Sequence, residues 1–179
     1  VNSEATILAT NTSSIPVSAI AAAVPKPERV AGMHFFNPAT IMRLVEVVRG
    51  THTNDATIDA LVTLAKQLQK QPVVCKDAPG FIVNRVARPY YLEAMQLVTN
   101  GELTDIALID EALQNSGFKM GPFALMDLIG LDINYSVSNI VWDALGQPKR
   151  LTPSSLQGAK VAAGDLGKKT GKGFYNYTT

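Results

Sequence analysis

The sequence predicts half of an α/β sheet over residues 1–77, joined to an all-α domain over residues 78–179. Short β-type runs alternate with helical patterns up to Asp77, and only helical patterns follow Gly80. Alternating strands and helices are typical of an α/β sheet, whereas a purely helical remainder forms a layer of its own. The 179 residues, 46% of them hydrophobic, suffice for packed cores in one large or two small domains.

Four runs rich in β-branched and apolar residues predict the strands. The second run ends at Asn37-Pro38, because a residue before proline avoids the α conformation. Two helical patterns lie between the strands, and Asn54 or Asp55 is a suitable N-cap for the second. The predicted strands cover residues 6–10, 29–36, 43–48 and 72–75, and the predicted helices cover residues 17–23 and about 54–70.

The second half carries five helical patterns. The first contains Pro89, which removes one backbone hydrogen bond. Thr104 is predicted to cap the second and Gly117 to end it, and Pro122 suits the first turn of the third. These helices are predicted over residues 81–98, 104–116, 122–129, 132–145 and 153–163.

Composition excludes several classes of function. The net charge of +1 gives no broad field of one sign, so we expect neither a nucleic-acid nor a membrane partner. One Cys and two His are too few for a disulfide framework or an ordinary zinc site, so no metal is predicted. The chain opens on Val1 with no signal-peptide pattern, and we expect a fragment of a longer protein.

One carboxylate interrupts an otherwise apolar strand, because Glu46 lies within Leu44-Val45-Glu46-Val47-Val48. Such runs are typical of strands buried on both faces, where a carboxylate needs a partner. His34 lies near the end of the preceding strand, so the two side chains meet if these strands are neighbours. A carboxylate bonded to one ring nitrogen orients an imidazole and leaves the other nitrogen to accept a proton. The alternative is an edge strand with Glu46 in solvent and a structural His34.

Further polar positions admit either a functional or an ordinary structural interpretation. Ser13 follows the first predicted strand, where α/β sheets bind ligands, although Ser also favours plain turns. Asn84 lies early in the long helix, where its side-chain amide is either hydrogen-bonded towards the interior or part of a solvated stripe. Lys169 lies in Gly167-Lys168-Lys169-Thr170-Gly171, which suits either an anion or a solvated basic turn. Cys75 has no general base beside it in the sequence and is predicted to pack.

The sequence contains no Gly-x-Gly-x-x-Gly run after a strand, no Walker A motif and no Gly-x-Ser-x-Gly elbow. Six other segments occur in a recognisable order, at residues 11–14, 34–38, 44–48, 79–85, 120–123 and 167–171. Taken together, they resemble the L-3-hydroxyacyl-CoA dehydrogenases over essentially the whole chain. That family opens with a glycine-rich, dinucleotide-binding Rossmann-type domain, so the resemblance implies that residues 1–77 are the end of such a domain and that the chain is N-terminally truncated.

The resemblance implies a role for each matching residue. His34 corresponds to the catalytic histidine, which takes the hydroxyl proton as hydride leaves C3 of the substrate for NAD, and Glu46 to its carboxylate partner. Ser13 would bond the substrate oxygen near the nicotinamide, and Asn84 would help to hold the substrate. Asn37 and Lys169 correspond to positions that contact NAD.

The resemblance also implies an acyl-CoA substrate, a homodimer through the helical domain and, with no targeting pattern visible, a cytoplasmic location. Residues 83–91 are similar to bacterial 3-hydroxyadipyl-CoA or 3-hydroxybutyryl-CoA dehydrogenases, the former acting in phenylacetate breakdown. Lys119 departs from the family's Gly- and Pro-rich turn, and it meets either an acidic acyl tail or solvent.

Two alternatives stay open beside the dehydrogenase. In the first, this chain lacks the glycine-rich loop and would be a non-catalytic helical dimerisation module of that enzyme. In the second, the protein is related to the nucleotide domain but has a structural role, although such a protein would have no need of both His34 and Glu46.

Overall fold

The computed structural model of the protein describes residues 3–177. The chain divides between Asn84 and Arg85 into two units, each with its own hydrophobic core. The first unit holds strands β1 (Leu8–Thr10), β2 (Val30–Phe35), β3 (Leu44–Arg49) and β4 (Gln71–Lys76) with helices α1 (Val17–Ala21) and α2 (Asp55–Gln67). Helix α3 (Val83–Thr99) leads into the second unit, which continues with α4 (Ile106–Asn115), α5 (Pro122–Ile129), α6 (Leu131–Ala144) and α7 (Ser155–Ala162).

The strands form one sheet in the order β1-β2-β3-β4. The β1–β2 and β3–β4 pairs are parallel, and the β2–β3 pair is antiparallel. Strands β2 and β3 lie inside the sheet, and Val45, Val47 and Met33 pack with Ile58 and Leu61 of α2. The α/β-plus-helical fold class predicted from the sequence is therefore confirmed, with a sheet that mixes both strand directions.

The helix boundaries follow from local capping chemistry. Asn54 caps α2, because its side chain accepts the N–H of Thr57. The prediction of Thr104 as the cap of α4 is wrong, since Asp105 accepts the N–H groups of Ala107 and Leu108 instead. An N-cap must lie one residue before the first helical residue, and that position belongs to the aspartate.

Two buried aspartates organise the second unit. Asp110 accepts the N–H groups of Phe123 and Ala124, both at 2.9 Å, and so satisfies the start of α5. Asp127, within α5, accepts the N–H groups of Phe174 and Tyr175 at the same distance. The C-terminal segment is thereby fastened to a helix through its backbone.

We predict that Asp127→Ala destabilises the second unit by about 2–4 kcal/mol, because buried backbone donors lose their acceptor. Asp127 is 0% exposed and also accepts the hydroxyl of Tyr177, so the C-terminal segment should become sensitive to protease. Urea unfolding and limited proteolysis measure both effects. The control is Asp143→Ala, which removes an exposed carboxylate bonded to Gln147. Equal stability of the two variants would contradict the assigned role.

Candidate active site

The antiparallel register of β2 and β3 places His34 opposite Glu46. The imidazole Nδ1 lies 2.7 Å from Oε2 of the carboxylate. Both side chains are buried, with 5% of His34 and 1% of Glu46 exposed. The alternative of Glu46 on an edge strand in solvent is wrong, because β4 pairs with the other side of β3.

The second oxygen of Glu46 binds the start of helix α3. Its Oε1 accepts the backbone N–H groups of Ile82 and Val83, each at 2.9 Å. The first N–H groups of a helix have no partner inside the helix, so the carboxylate acts as a cap supplied by the sheet. Three donors thus surround the buried charge and offset the cost of taking it out of water.

The hydrogen bond to Glu46 fixes the imidazole tautomer. An ionised carboxylate can only accept, so Nδ1 carries the proton and Nε2 is left as an acceptor. Two aromatic rings contact the imidazole edge-to-face. The ring centroid of Phe36 lies 4.7 Å away and that of Phe81 lies 5.7 Å away. This arrangement is suited to accepting one proton at Nε2 in a water-poor environment.

The loop that carries Ser13 is tied to the strand end that carries His34. The side chain of Asn11, at the start of this loop, accepts the N–H of Phe35 at 2.8 Å. The hydroxyl of Thr12 accepts the backbone N–H groups of Ser14 and Ile15, and these two bonds hold the loop in shape. Ser13 is half-buried in that turn. Asn37 is exposed and follows the end of β2, joined to Pro38 by a cis peptide.

Asn84 lies directly after the residue that Glu46 anchors. It is the second residue of α3 and half-buried, and the N–H of the preceding Val83 binds the carboxylate. The structure therefore brings His34 and Glu46 into direct contact, whereas Ser13 lies in a loop bonded to the end of β2 and Asn84 directly follows a residue bonded to Glu46.

Lys169 belongs to the second unit and has a carboxylate partner of its own. Its ammonium lies 2.6 Å and 2.7 Å from the two oxygens of Asp132, in the first turn of α6. Gly130 has a φ of 102°, and a Cβ there would lie 3.2 Å from the Lys169 Nζ. The basic turn is therefore paired with an acidic side chain rather than surrounded only by solvent.

Two other side chains singled out in the sequence lie outside this site chemistry. Cys75 is half-buried and packs against the Val17 cluster, as predicted. Burial, followed by the charges of Glu46 and Asp77, raises the pKa of its thiol to about 12, so it stays protonated at neutral pH. Lys119 is exposed.

Sequence reasoning missed the aromatic and backbone parts of the site. Phe36 and Phe81 were seen only as members of motifs, and the N–H groups of Ile82 and Val83 carry no sequence signal. One signal was present: a buried carboxylate has two oxygens, and a single histidine satisfies only one of them.

Within residues 3–177, no helix is long and apolar enough to cross a membrane. The same residues bring together no group of three or more His, Cys, Asp or Glu side chains that could hold a metal ion.

We predict that Lys169→Met raises the pKa of Asp132 towards its ordinary value of 3.8, because the hydrogen bond from Lys169 is the main cause that lowers it. A lowered carboxyl pKa means that the pair stabilises the fold above the unfolded-state pKa and that this contribution is lost as the pH falls through the folded pKa. The pair is over a third exposed, so its contribution is below about 1 kcal/mol. Carboxyl ¹³C NMR titration measures the shift, with Lys168→Met as control. An unshifted Asp132 would contradict the pairing.

Comparison with known proteins places both units in one family. The family model for the 3-hydroxyacyl-CoA dehydrogenase NAD binding domain matches residues 1–78. The model for the 3-hydroxyacyl-CoA dehydrogenase C-terminal domain matches residues 80–177.

Individual relatives are similar along nearly the whole chain. The 3-hydroxyadipyl-CoA dehydrogenase of Escherichia coli (strain K12) is 50% identical over 173 residues, which are 96% of this chain and 36% of that protein. The mitochondrial hydroxyacyl-coenzyme A dehydrogenase of Homo sapiens is 44% identical over 97% of this chain and 55% of its own length. The crystal structure of (S)-3-hydroxybutyryl-CoA dehydrogenase from Ralstonia eutropha superimposes with a TM-score of 0.93 at 40% identity, covering 99% of this chain and 62% of that one.

The chain thus spans between about a third and three fifths of the length of these relatives. Because the family model of the C-terminal domain alone covers more than half of the chain, the assignment does not depend on any one relative. The chain belongs to the 3-hydroxyacyl-CoA dehydrogenase family.

Proposed function

We propose that the protein catalyses the NAD-dependent oxidation of L-3-hydroxyacyl-CoA to 3-oxoacyl-CoA, in fatty acid or phenylacetate breakdown. The observation that carries this proposal is the buried pair of His34 and Glu46, whose Nδ1–Oε2 distance is 2.7 Å. A buried charge that needs three donors to compensate it is an expensive feature, and proton transfer gives it a purpose.

His34 is the proposed acid/base residue and Glu46 its orienting partner. The Nε2 of His34 takes the proton of the C3 hydroxyl, the C3–O bond gains double-bond character, and the C3–H electron pair leaves as hydride. When bound, NAD would supply the acceptor for that hydride. Glu46 holds the proton on Nδ1 throughout and stabilises the imidazolium that forms. In the reverse direction, His34 returns the proton to the oxygen.

Ser13 and Asn84 are the proposed substrate-binding residues. The Ser13 hydroxyl would donate to the oxygen on C3 and also face the cofactor, and the Asn84 amide would hold the acyl-CoA in place. Because hydride transfer requires close alignment of C3 with its acceptor, positioning is a main part of the catalytic contribution.

The residues present fit the reactive end of NAD. The Ser13 loop and the Asn37 turn follow the ends of the parallel strands β1 and β2 and are joined by the bond from Phe35 N–H to Asn11. The carboxyl ends of parallel strands are where α/β sheets bind ligands. Asn37 and Lys169 are the proposed NAD contacts. No glycine-rich loop occurs among the 179 residues, so the pyrophosphate is assigned to none of them.

Bacterial relatives support a substrate and a location. Relatives named as 3-hydroxybutyryl-CoA and as 3-hydroxyadipyl-CoA dehydrogenases are each up to 50% identical to this chain, so we propose a short acyl or a dicarboxylyl substrate. The exposed Lys119 offers a cation for such a tail only if the tail reaches the surface. We propose a cytoplasmic location on the same likeness to bacterial enzymes.

The second candidate is that this chain, taken by itself, is a non-catalytic module of the enzyme. The absence of a Gly-x-Gly-x-x-Gly sequence favours it, because dinucleotide pyrophosphates bind such loops. A purely structural role for the nucleotide domain is opposed by the retained pair of His34 and Glu46.

NADH oxidation with acetoacetyl-CoA separates these candidates. The chain is compared with a version extended at its N-terminus by the part of the E. coli relative that precedes the matched residues. Turnover in the extended version alone supports the dehydrogenase and makes the present chain its inert module. Inactivity of both versions, on dicarboxylyl substrates as well, would contradict the proposed function.

In the extended version, we predict that His34→Gln lowers kcat by about 10²–10⁴-fold, since it removes the proton acceptor, and leaves NADH binding intact. Glu46→Gln should also lower kcat, because Nδ1 loses its anionic partner. The other histidine of the chain, His52, is exposed, so His52→Gln is the matched control. Stopped-flow kinetics and NADH fluorescence measure the effects. Near-normal turnover in His34→Gln would remove this residue from the mechanism.

We also propose that the helical unit forms a homodimer. Helices α5 and α6 both carry exposed apolar residues: Leu128, Ile129, Ile133 and Ile140. Ile133 and Ile140 are seven residues apart and so share a helix face. Exposed apolar side chains that share a helix face are typical of a protein interface.

Light scattering should therefore give twice the 19.2 kDa mass of one chain. We expect Ile133→Lys with Ile140→Lys to give the mass of a single chain, because each substitution would place a charge in the interface. The control is Leu108→Lys, which replaces an equally exposed apolar residue on α4. A dimer that survives the double substitution would contradict this interface.

A further inference from the structure

The turn before α3 places two consecutive residues in the left-handed region. Gly80 has a φ of 71° and Phe81 a φ of 47°. Glycine adopts this conformation without cost, whereas a side chain with a Cβ crowds the following carbonyl. A large aromatic residue is thus held in a strained conformation, and such strain persists only where the surroundings enforce it.

The same turn serves both members of the acid/base pair. Immediately after Phe81, the N–H groups of Ile82 and Val83 point to Oε1 of Glu46, each at 2.9 Å. The ring of Phe81 lies against His34, with the two ring planes at 61° and the centroids 5.7 Å apart. The strained residue therefore sets the backbone donors for the carboxylate and the wall beside the imidazole.

The ring is also part of a hydrophobic cluster. Phe81 is buried and packs with Val17, Ala21, Val30 and Val48. Glycine would meet the backbone requirement better, but it would leave the cluster and the histidine without this ring. Core packing alone accounts for an apolar residue here, and the contact with His34 gives the ring a second role that can be tested separately.

We infer that Phe81 is a positioning residue for His34, which keeps water from the bond between Nδ1 and Glu46 and thereby fixes the direction of Nε2. The ring acts through His34, and the left-handed backbone acts through Glu46. The kinetic consequence of this inference rests on the proposed function, whereas its structural consequence does not.

The ring nitrogens of His34 report this role directly in the 179-residue chain. Long-range ¹⁵N–¹H NMR at mildly alkaline pH distinguishes the two imidazole tautomers, and the exposed His52 is an internal reference. In the unsubstituted chain, the Nδ1–H tautomer of His34 should be in large excess over the Nε2–H form. In Phe81→Leu, the ratio of this tautomer to the Nε2–H form should fall by about tenfold or more, because water enters beside the hydrogen bond.

Val17→Ala is the matched control, since it removes packing from the same cluster at helix α1. It should lower stability without altering the tautomer of His34. A second variant, Phe81→Gly, keeps the turn and removes the ring. We expect it to retain slow hydrogen exchange at the Ile82 and Val83 amides while it loses the large excess of the Nδ1–H tautomer.

Several results would overturn the inference. One is a tautomer ratio of His34 that is the same in Phe81→Leu as in the unsubstituted chain. Another is an equal change of the tautomer ratio in Val17→Ala when the two variants are equally destabilised. A third is that His34 in the unsubstituted chain shows the same mixture of both tautomers as the exposed His52. In the extended version, Phe81→Leu should lower kcat about tenfold with KM within about twofold, the pattern expected for misplaced chemistry. If the tautomer changes as expected but no version is active, the proposed function fails and the positioning role stands.

Discussion

The carboxylate of Glu46 is the interaction on which the first unit depends. Its Oε2 accepts from His34 on β2, and its Oε1 accepts from the first N–H groups of α3. One residue on β3 thus fastens a neighbouring strand and the following helix to a single charge. Burial makes this arrangement rigid, because loss of any donor leaves part of a desolvated carboxylate unpaired. The orientation of the imidazole and the starting point of the helix are set together for that reason.

The same device recurs elsewhere in the protein. A carboxylate that accepts two consecutive N–H groups satisfies donors that the backbone itself cannot pair, and the charge strengthens both bonds. Charged residues make up only 17% of the sequence, and several of them are used in this way instead of in surface ion pairs. Besides Glu46, the residues are Asp77 with Val17 and Ser18, Asp110 with Phe123 and Ala124, and Asp127 with Phe174 and Tyr175.

The sequence was sufficient to predict the pair but not its surroundings. Glu46 stands out because a carboxylate within an apolar strand has a recognisable cost, and His34 follows from the expectation that adjacent strands pair. The start of α3 was predicted at Phe81, whereas the helix begins at Val83. A left-handed phenylalanine leaves no compositional signal, since its conformation is imposed by tertiary contacts that local propensity does not include.

Lys169 illustrates the same limit for charged side chains. The Gly-Lys-rich turn was recognisable, but its partner Asp132 lies 37 residues earlier. Ion pairs between distant segments depend on how helices pack, which a pattern along the chain does not specify. Fixed by both carboxylate oxygens, this ammonium has less freedom than a lysine in solvent, so an anionic ligand there would have to share it with Asp132.

Cys75 provides an independent view of the field around the acid/base pair. Its pKa is raised to about 12 chiefly by burial and then by the charges of Glu46 and Asp77. The hydrogen bond of 2.7 Å between Nδ1 of His34 and Oε2 of Glu46 is separate from this effect on the thiol, because it depends on the paired strands and not on the charge alone. The burial and the two nearby carboxylates therefore suppress nucleophilic chemistry at the sulfur, while the carboxylate of Glu46 occupies Nδ1 of His34. Nε2 is then the ring nitrogen left to accept a proton, and this selectivity follows from the buried position of Glu46 opposite His34 in the sheet rather than from any property of the histidine alone.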